Sequence, residues 1–431
     1  MTPAEWLAIV EHELLLFAGI FFFIGALDEL AIDVIWLWLR VTGQVKTARL
    51  DAHEIAPAPL LGPTAVFVPA WREDGVIGAT VRHMLAACPQ AELRVYVGCY
   101  RNDPDTSEAV HCAAFGDGRL RVVIYDRDGP STKADCLNRL FQAMETDEAR
   151  EGTRFRAAIM HDAEDMVDPA ALGLLDAGIS VAEVVQLPVL PEPTPRSRWI
   201  ASHYCEEFAE AHGKAMVVRD ALGAGLPTAG VGCAISRRAL DWLARHRSAD
   251  GPFASECLTE DYELGLAIAD MGGRTRFLRA RAPDGRLIAT RALFPHRIDW
   301  AVRQKTRWVH GIALQSWDRM GWSDRPADIW MRLRDRRGPL TALLLAVAYL
   351  LLALFAIAYA LQWLGYAHAL ELSWVVETLL WVNLASFVWR AGMRFAFTAR
   401  EYGWVEGIRA IVRIPVTNII AIMAGRRALS S

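Results

Sequence analysis

Thirty-three consecutive residues, from Gly338 to Leu370, contain no Asp, Glu, Lys or Arg. A helix of about 20 apolar residues is long enough to cross the hydrocarbon core of a bilayer. Hydrophobic residues make up 53% of the 431-residue chain, which is more than an average soluble domain carries. The stretch therefore predicts a transmembrane helix and excludes a purely soluble fold.

Other apolar segments flank the polar middle of the chain. The residues from about Ser373 to Phe397 predict a second C-terminal span, and Leu14 to Leu27, with apolar flanks, predict an N-terminal anchor. Because no basic leader or small-residue cleavage site accompanies it, this anchor is not expected to be a signal peptide. The segment from Trp404 to Met423 contains two arginines and a proline, and we expect it to lie on the membrane as an interfacial helix.

Arginines are concentrated where the predicted spans meet the polar middle, whereas the short loop between the two C-terminal spans has no Arg or Lys. By the positive-inside rule, the middle segment and the C-terminus face the cytosol. We therefore expect an anchor over 1–45, a cytosolic domain over 46–335, two transmembrane helices over 336–400 and an interfacial helix over 401–431.

Charge and cysteine content exclude several classes of partner. The chain has 46 Lys and Arg against 50 Asp and Glu, so no basic excess is present to neutralise a nucleic-acid backbone, and nucleic acid is not an expected partner. The seven cysteines contain no C-x-x-C pair that would indicate zinc or a redox couple. All seven lie in the middle segment, which favours a reducing compartment for that segment.

The middle segment alternates short apolar runs with helical patterns. Residues 64–70, 93–99 and 119–126 predict strands, and residues 75–88 and 134–144 predict helices between them. This rhythm is typical of an α/β fold with a mostly parallel sheet. In such sheets the binding crevice lies at the carboxyl ends of the strands.

A first acidic motif, His-Asp-Ala-Glu-Asp, directly follows a predicted strand that ends at Met160. Asp162, Glu164 and Asp165 would offer oxygen ligands to Mg²⁺ or Mn²⁺, with a diphosphate in the remaining positions. The alternative is an acidic turn that caps the next helix, since Asp168 and a proline follow.

A second acidic motif, Leu-Thr-Glu-Asp-Tyr-Glu-Leu-Gly, runs from Leu258 to Gly265. Glu260 and Asp261 open an apparent helix, where a carboxylate is a candidate general base for a sugar hydroxyl. The alternative is structural: Thr259 caps the helix and the acids favour its dipole.

A third motif places Gln304, Arg307 and Trp308 on one face of a helix, at positions i, i+3 and i+4. Arginine can neutralise a leaving diphosphate, and tryptophan can stack on a sugar ring. The alternative is a membrane-proximal helix with interfacial Trp and Arg.

In this order the three motifs, followed by membrane spans, resemble family 2 glycosyltransferases with a GT-A fold, over about Thr64 to Trp317. The closer likeness, through the segments 204–223 and 227–240, is to the inner-membrane glycosyltransferases of the phage-adsorption (NfrB) type. The resemblance implies Asp261 as the base with Glu260 beside it, and Asp162 and Glu164 as the metal pair, with Glu in place of the usual second Asp.

The resemblance also assigns binding positions. It implies that donor-binding residues are Pro69, Ala70, Trp71, Glu73, Lys133, Asp135, Asn138, Asp162 and Arg307. It implies that acceptor-binding residues are Gln304, Trp308, Gly230 and Gly232. Where many relatives have Asp-Asp-Gly-Ser after the second strand, this chain has residues 98–103, and Asp103 is the candidate substitute for the base-reading carboxylate.

The function implied is a metal-dependent inverting transferase in the bacterial inner membrane, with its catalytic domain in the cytosol. Its donor would be a nucleotide sugar, with UDP as the nucleotide, and its acceptor a growing polysaccharide or a lipid-linked glycan. Membrane lipids and an outer-membrane export protein are the expected partners. Two alternatives stay open: a non-catalytic receptor or assembly scaffold, and a nucleotide-binding sensor.

Overall fold

The computed structural model describes residues 3–114, 116–247, 251–364 and 372–430. The strands are β1 Ala48–Arg49, β2 Thr64–Pro69, β3 Leu93–Tyr100, β4 Leu120–Tyr125, β5 Ala157–Met160, β6 Val184–Gln186, β7 Val189–Pro191, β8 Cys233–Ser236, β9 Thr275–Phe277, β10 Ala280–Arg281 and β11 Thr290–Ala292. The helices of the middle segment are α2 Ala52–Ile55, α3 Ile77–Ala87, α4 Pro104–Ala113, α5 Lys133–Glu151, α6 Ala171–Ile179, α7 His203–Glu210, α8 Met216–Ala221, α9 Arg237–His246, α10 Glu260–Asp270, α11 Ile298–Val309, α12 Ser316–Met320 and α13 Pro326–Arg336. Two π-helical segments, Ala211–Ala215 and His310–Gln315, follow α7 and α11.

Seven strands form the central sheet in the order β4-β3-β2-β5-β8-β6-β9. All neighbours are parallel except β8, which runs antiparallel to both β5 and β6. The predicted α/β fold with a mostly parallel sheet is therefore confirmed. The predicted strands at 64–70, 93–99 and 119–126 correspond to β2, β3 and β4.

Strand β2 shows why this sequence forms a central strand. Its side chains are buried on both faces of the sheet, because successive residues point to opposite sides and helices cover each side. Val66 and Val68 pack toward α3 and α6, and Ala65 and Phe67 pack toward α5, α9 and α10. The two cores hold the strand ends in register at the crevice.

The remaining helices are those expected at the membrane: α1 Pro3–Val41, α14 Gly338–Trp363, α15 Trp374–Tyr402, α16 Trp404–Val412 and α17 Ile414–Ser430. Within the described ranges, two helices are long and apolar enough to cross a membrane, over Ile9–Val41 and Gly338–Ala360. They contain the predicted N-terminal anchor and most of the charge-free stretch. Residues 365–370 of that stretch lie outside the described residues.

The other two membrane predictions take a less simple form. Helix α15 contains the predicted second C-terminal span, but it is less apolar than the two spanning helices and carries Glu377 and Arg390. Helices α16 and α17 meet at a bend of 53°, next to Pro415, and together have the length and composition of one broken span or a re-entrant pair. The second span and the interfacial helix stay predictions.

Ion pairs join the N-terminal helix to the rest of the chain. Asp28 and Glu29 on α1 pair with Arg334 and Arg337, which lie at the junction of α13 and α14. Asp33, one turn further on, pairs with the buried Lys214 of the first π-helical segment. The α/β domain and the apolar helices are thereby packed as one unit.

Candidate active site

Lys133 stands at the centre of the crevice, at the first position of α5. Its ammonium forms an ion pair with Asp162, which directly follows β5, and lies 3.3 Å from the carbonyl oxygen of Gly230. Burial acts to lower the pKa of Lys133, but Asp162, Glu260 and Asp261 together raise it above its ordinary value. Lys133 therefore stays charged and joins the first and second acidic motifs in one electrostatic cluster.

Asp261 is held from two sides at the start of α10. Its Oδ1 accepts a hydrogen bond from the Tyr262 backbone N–H at 2.8 Å, and its carbonyl oxygen accepts one from the Thr228 hydroxyl at 2.8 Å. Gly230 has φ +73°, and a Cβ at that position would lie 2.7 Å from Asp261 Oδ2. Only glycine therefore lets the backbone approach this carboxylate so closely.

Both carboxylates of the second motif have perturbed acidity. Burial, followed by the neighbouring charge of Asp261, raises the pKa of Glu260 to about 7, against the opposing effect of Lys133. Burial also raises the pKa of Asp261, and Lys133 and Arg307 act in the opposite direction. Two carboxyls with raised pKa at a crevice are typical of groups that exchange protons with a substrate.

Thr259 occupies the N-cap position of α10, as the structural alternative for this motif requires. Its side chain, however, accepts no capping hydrogen bond, and its hydroxyl is buried without a partner among the described residues. A Cβ on Gly311, in the second π-helical segment, would lie 2.6 Å from this hydroxyl. Thr259 thus packs the second motif against the segment that follows Arg307, and the capping interpretation is wrong for its side chain.

Three carboxylates, those of Asp162, Glu164 and Glu73, lie near the carboxyl end of β5. Burial, followed by Asp162 and Glu73, raises the pKa of Glu164 to about 7. Burial, followed by Asp162 and Asp103, also raises the pKa of Glu73. Such mutual repulsion creates the negative potential that a divalent cation relieves, and the carboxylate oxygens of Asp162 and Glu164 suit Mg²⁺ or Mn²⁺.

The described residues contain no group of three His, Cys, Asp or Glu side chains arranged to hold a metal ion. Two carboxylates plus diphosphate oxygens and water would suffice for Mg²⁺, which is often bound by only one or two protein carboxylates. Asp165 has a different place from its neighbours: its Oδ2 accepts the Asp162 backbone N–H at 3.0 Å and lies 3.0 Å from His161 Nδ1. It orients the loop that presents Asp162.

The loop after β2 contains Trp71, which contacts the end of β3. Its ring makes an edge-to-face contact with Tyr100 at 5.1 Å between centroids. Arg72 has φ +57° and donates its backbone N–H to Asp103 Oδ2 at 2.6 Å. Pro69 ends β2, and Ala70 donates its backbone N–H to the Gly98 carbonyl at 2.9 Å. These residues form one wall of the crevice beside Glu73.

A model of the family described as glycosyltransferase like family 2 matches residues 62–311, which is more than half of the chain. The chain belongs to this glycosyltransferase family. The match covers all seven strands of the central sheet and the three motifs, and it confirms the predicted family.

Two curated relatives are Bacteriophage adsorption protein B of Escherichia coli K12 and Bacteriophage N4 adsorption protein B of Escherichia coli O157:H7. Each is 32% identical over 442 residues, covering 95% of this chain and 58% of the relative. The predicted likeness to the phage-adsorption type is thus confirmed. The chain spans a little over half the length of these relatives.

Among solved structures, a mannosyltransferase from Pyrobaculum calidifontis, in complex with GDP-Man and Mn²⁺, has a similar fold. The TM-score is 0.54 at 18% identity, covering 94% of this chain and 99% of that one. This likeness confirms the predicted GT-A fold for this family 2 glycosyltransferase.

Several predicted donor-site residues of this family 2 glycosyltransferase have partners within the protein. The Asp135 side chain closes a capping box with Thr132 at the start of α5. Asn138 is buried and exchanges two hydrogen bonds with the backbone of Phe253, at 2.8 and 2.9 Å. Their donor-binding roles stay predictions. The Thr-x-x-Asp spacing was itself a sequence signal for the capping box.

The aromatic and cationic residues of the third motif, Trp308 and Arg307, lie in different environments. Arg307 is exposed, and its charge opposes the rise in the pKa of Glu260 and Asp261 that burial causes, so it lies near these carboxylates on the crevice side. Trp308 is partly buried and contacts the rings of Tyr204 and Phe208, with centroids 5.9 and 6.3 Å apart. The structure thus brings Arg307 to the acidic cluster and sets Trp308 in an aromatic cluster beneath it.

The other two predicted acceptor residues differ in their contacts. Gln304 has a buried Oε1 with no hydrogen-bond partner among the described residues. Gly232 has φ +59°, and a Cβ there would collide with the Thr290 side chain. The acceptor-binding roles of these residues and of Trp308 stay predictions.

Sequence reasoning missed Gln186, a buried residue at the end of β6. Its Oε1 accepts the Ala229 backbone N–H at 2.8 Å, and its Nε2 donates to the Val231 carbonyl at 2.9 Å. The side chain thereby fixes the loop that carries Gly230 under Asp261. The only available signal was a polar residue inside an apolar strand, since a buried amide must find hydrogen-bond partners.

Proposed function

We propose that this protein is a membrane-bound glycosyltransferase that moves a sugar from a nucleotide donor to a glycan or lipid-linked acceptor. The observation that carries the proposal is the cluster around Lys133. One cation contacts Asp162, lies beside the Gly230 carbonyl and compensates Glu260 and Asp261. A donor diphosphate needs a cation beside it, and an acceptor hydroxyl needs a basic carboxylate. This cluster provides both at one place.

In this proposal Asp261 is the general base of an inverting transfer. It accepts the proton of the acceptor hydroxyl while that oxygen attacks the anomeric carbon of the donor sugar. The bond from this carbon to the diphosphate oxygen breaks, and the nucleotide diphosphate leaves with the bonding electrons. The raised pKa of Asp261 makes its carboxylate a stronger base than an exposed Asp.

Lys133 and Arg307 neutralise the charge that develops on the departing diphosphate in this scheme. Asp162 and Glu164 would hold Mg²⁺ or Mn²⁺, which would supply further positive charge to the same group. The Pyrobaculum mannosyltransferase was solved with GDP-Man and Mn²⁺, which supports a nucleotide sugar and a divalent cation here. UDP as the nucleotide rests on the family resemblance.

The proposed location is the bacterial inner membrane, with the α/β domain in the cytosol, where nucleotide sugars are made. Two apolar helices of spanning length support the membrane, and arginines at their domain-facing ends support the orientation. Membrane lipids are then direct neighbours, and an outer-membrane export protein is the partner proposed for a polymeric product.

The test is nucleotide release by the purified full chain with Mn²⁺ and a panel of UDP- and GDP-sugars. Asp261→Asn, which keeps the shape of the side chain, is expected to lower the rate by roughly 100-fold or more. Chelation of the metal with EDTA is expected to abolish release, and added Mn²⁺ to restore it.

Asp284→Asn is the matched control, since Asp284 is 67% exposed and lies in a turn outside the crevice. It is expected to keep the wild-type rate. Equal release by Asp261→Asn and wild type would remove Asp261 as the base, and release that is unaffected by EDTA would remove the metal.

The names of the two relatives favour a second candidate, a non-catalytic receptor or assembly scaffold for phage adsorption. This candidate and a nucleotide sensor both predict no turnover. Calorimetry with UDP and GDP, run beside the release assay, separates them: a sensor binds a nucleotide without turnover, and a scaffold binds none.

A further inference from the structure

Two adjoining cavities lie along the outer edge of the central sheet, beside β9. The first, about 230 Å³, lies between the end of α1, the linker 44–48 and the strands β9 and β10. The second, about 440 Å³, lies between the same linker, the end of α8 and the residues that precede β9. They share Gln44, Val45, Asp220 and Arg276, and we call them the edge cavities.

The edge cavities are strongly cationic. Among the described residues that line them, Asp220 is the one acid, and it pairs with Arg276 at 3.0 Å. The lining cations are Arg40, Lys46, Arg274, Arg276, Arg279 and Arg325. Positive charge therefore exceeds negative charge several-fold in a concave surface.

Three of these cations form no ion pair with any residue that the structure describes. Across residues 3–114, 116–247, 251–364 and 372–430, Arg40, Lys46 and Arg274 form no ion pair. Arg40 instead lies over the Trp36 ring at 5.6 Å. Like charges gathered without counter-ions repel one another, and an anion would relieve that repulsion.

Arg279 adds a buried group to this set. Its side chain is 8% exposed and pairs with Glu401 at 2.7 Å, yet its Nε has no hydrogen-bond partner among the described residues. Burial, with Arg281 and Arg400 nearby and Glu401 opposing, lowers the pKa of Arg279 to about 10. A buried guanidinium with an unused donor is costly unless a further acceptor reaches it.

We propose that the edge cavities bind a phosphate-bearing anion, either a free phosphate compound or the headgroup of an anionic lipid. Arginine forks match the oxygens of a phosphate in two-point contacts, and several such forks converge here.

The site is separate from the active-site crevice. Strands β8 and β6 lie between β9 and β5, the strand that presents Asp162. On its other side the first cavity contacts the membrane anchor: Arg40 is in the last turn of α1, and Trp36 makes an edge contact with Phe397 of α15 at 5.2 Å. A bound anion would thus bridge the anchor and the sheet edge.

The test compares the full chain with Lys46→Ala/Arg274→Ala. Both side chains are exposed at the cavity mouths, so the double variant is expected to fold normally. Arg82→Ala/Arg245→Ala removes two exposed cations elsewhere and is the matched control. Arg307→Ala removes a diphosphate contact proposed for the crevice.

In the first arm, detergent-solubilised protein is titrated with inorganic pyrophosphate in a calorimeter. A site in the edge cavities predicts a binding component that Arg307→Ala and the control keep and that Lys46→Ala/Arg274→Ala weakens roughly tenfold or more. In the second arm, native mass spectrometry counts phosphatidylglycerol that stays bound after release from phosphatidylcholine/phosphatidylglycerol nanodiscs.

Loss in the first arm alone identifies a free phosphate compound, and loss in the second arm identifies a lipid headgroup. If the double variant matches wild type and control in both arms, the proposal is refuted. Neither arm measures sugar transfer, so the result is independent of the proposed function.

Discussion

Replacing Gly230 with alanine tests whether catalysis depends on the position of Asp261. A Cβ at Gly230 would lie 2.7 Å from Asp261 Oδ2, whereas ordinary contacts of this kind begin at 3.4 Å. The carboxylate would therefore have to retreat by about 0.7 Å or rotate away. Two hydrogen bonds resist a shift of the helix start: the Tyr262 backbone N–H donates to Asp261 Oδ1, and the Thr228 hydroxyl donates to the Asp261 carbonyl oxygen.

The expected loss of activity follows from this displacement. A misplacement of about 1 Å in a catalytic group can lower a rate by about 100-fold, so we expect kcat to fall roughly 10- to 100-fold. Gly230 also has φ +73°, where a side chain costs about 1–2 kcal/mol of stability. That cost alone predicts a lower Tm by a few degrees.

Gly152→Ala separates the two effects. Gly152 ends α5 with φ +64°, and a Cβ there would meet no atom within 4 Å. This variant is expected to lose a similar amount of stability and keep the wild-type kcat. Initial rates of nucleotide release and thermal unfolding, both in one detergent, measure the pair. Equal kcat in Gly230→Ala and Gly152→Ala would refute the inference that catalysis depends on the position of the Asp261 carboxylate.

Two further predictions concern acidity and the acceptor. Because the base must be ionised and burial raises the pKa of Asp261, beside a Glu260 whose pKa is raised to about 7, kcat/KM should begin to fall at a higher pH than an exposed Asp would give. Lys133→Met removes a cation that lowers both values and should move this fall to higher pH; a profile that is flat down to about pH 5 would contradict the assignment. Trp308→Phe keeps an aromatic ring beside Tyr204 and Phe208 and is expected to raise the acceptor KM by up to about tenfold with the donor KM unchanged. An unchanged acceptor KM, measured by varying the acceptor at fixed donor, would restrict Trp308 to packing.

The sheet could be predicted because its signals are local. Residues 64–70 and 93–99 are short apolar runs, and such runs become central strands wherever helices cover both faces. The antiparallel β8 was not predictable in this way, because its direction depends on the path of residues 187–232 across the sheet.

The active-site cluster was predictable only in part. The acidic motifs could be identified in the sequence, but the contacts that join them could not. The ion pair of Lys133 with Asp162 joins residues 29 positions apart, and the Asn138 contact with Phe253 joins residues 115 positions apart. The division of Arg307 from Trp308 had no sequence signal, since adjacent helical residues point about 100° apart and either could have faced the crevice.

The boundaries predicted from hydropathy, near residues 45 and 335, follow the apolar segments and not the charges. Asp33 on α1 pairs with Lys214 inside the α/β domain, and both side chains are 2% exposed. Removing Asp33 would leave Lys214 paired with Glu210 at 2.7 Å, so the expected loss of stability is smaller than the loss of about 3–5 kcal/mol for an isolated buried pair. The α/β domain therefore depends on α1 for stability, and hydropathy alone cannot reveal that dependence, because the acids of α1 lie in a helix whose mean character is apolar.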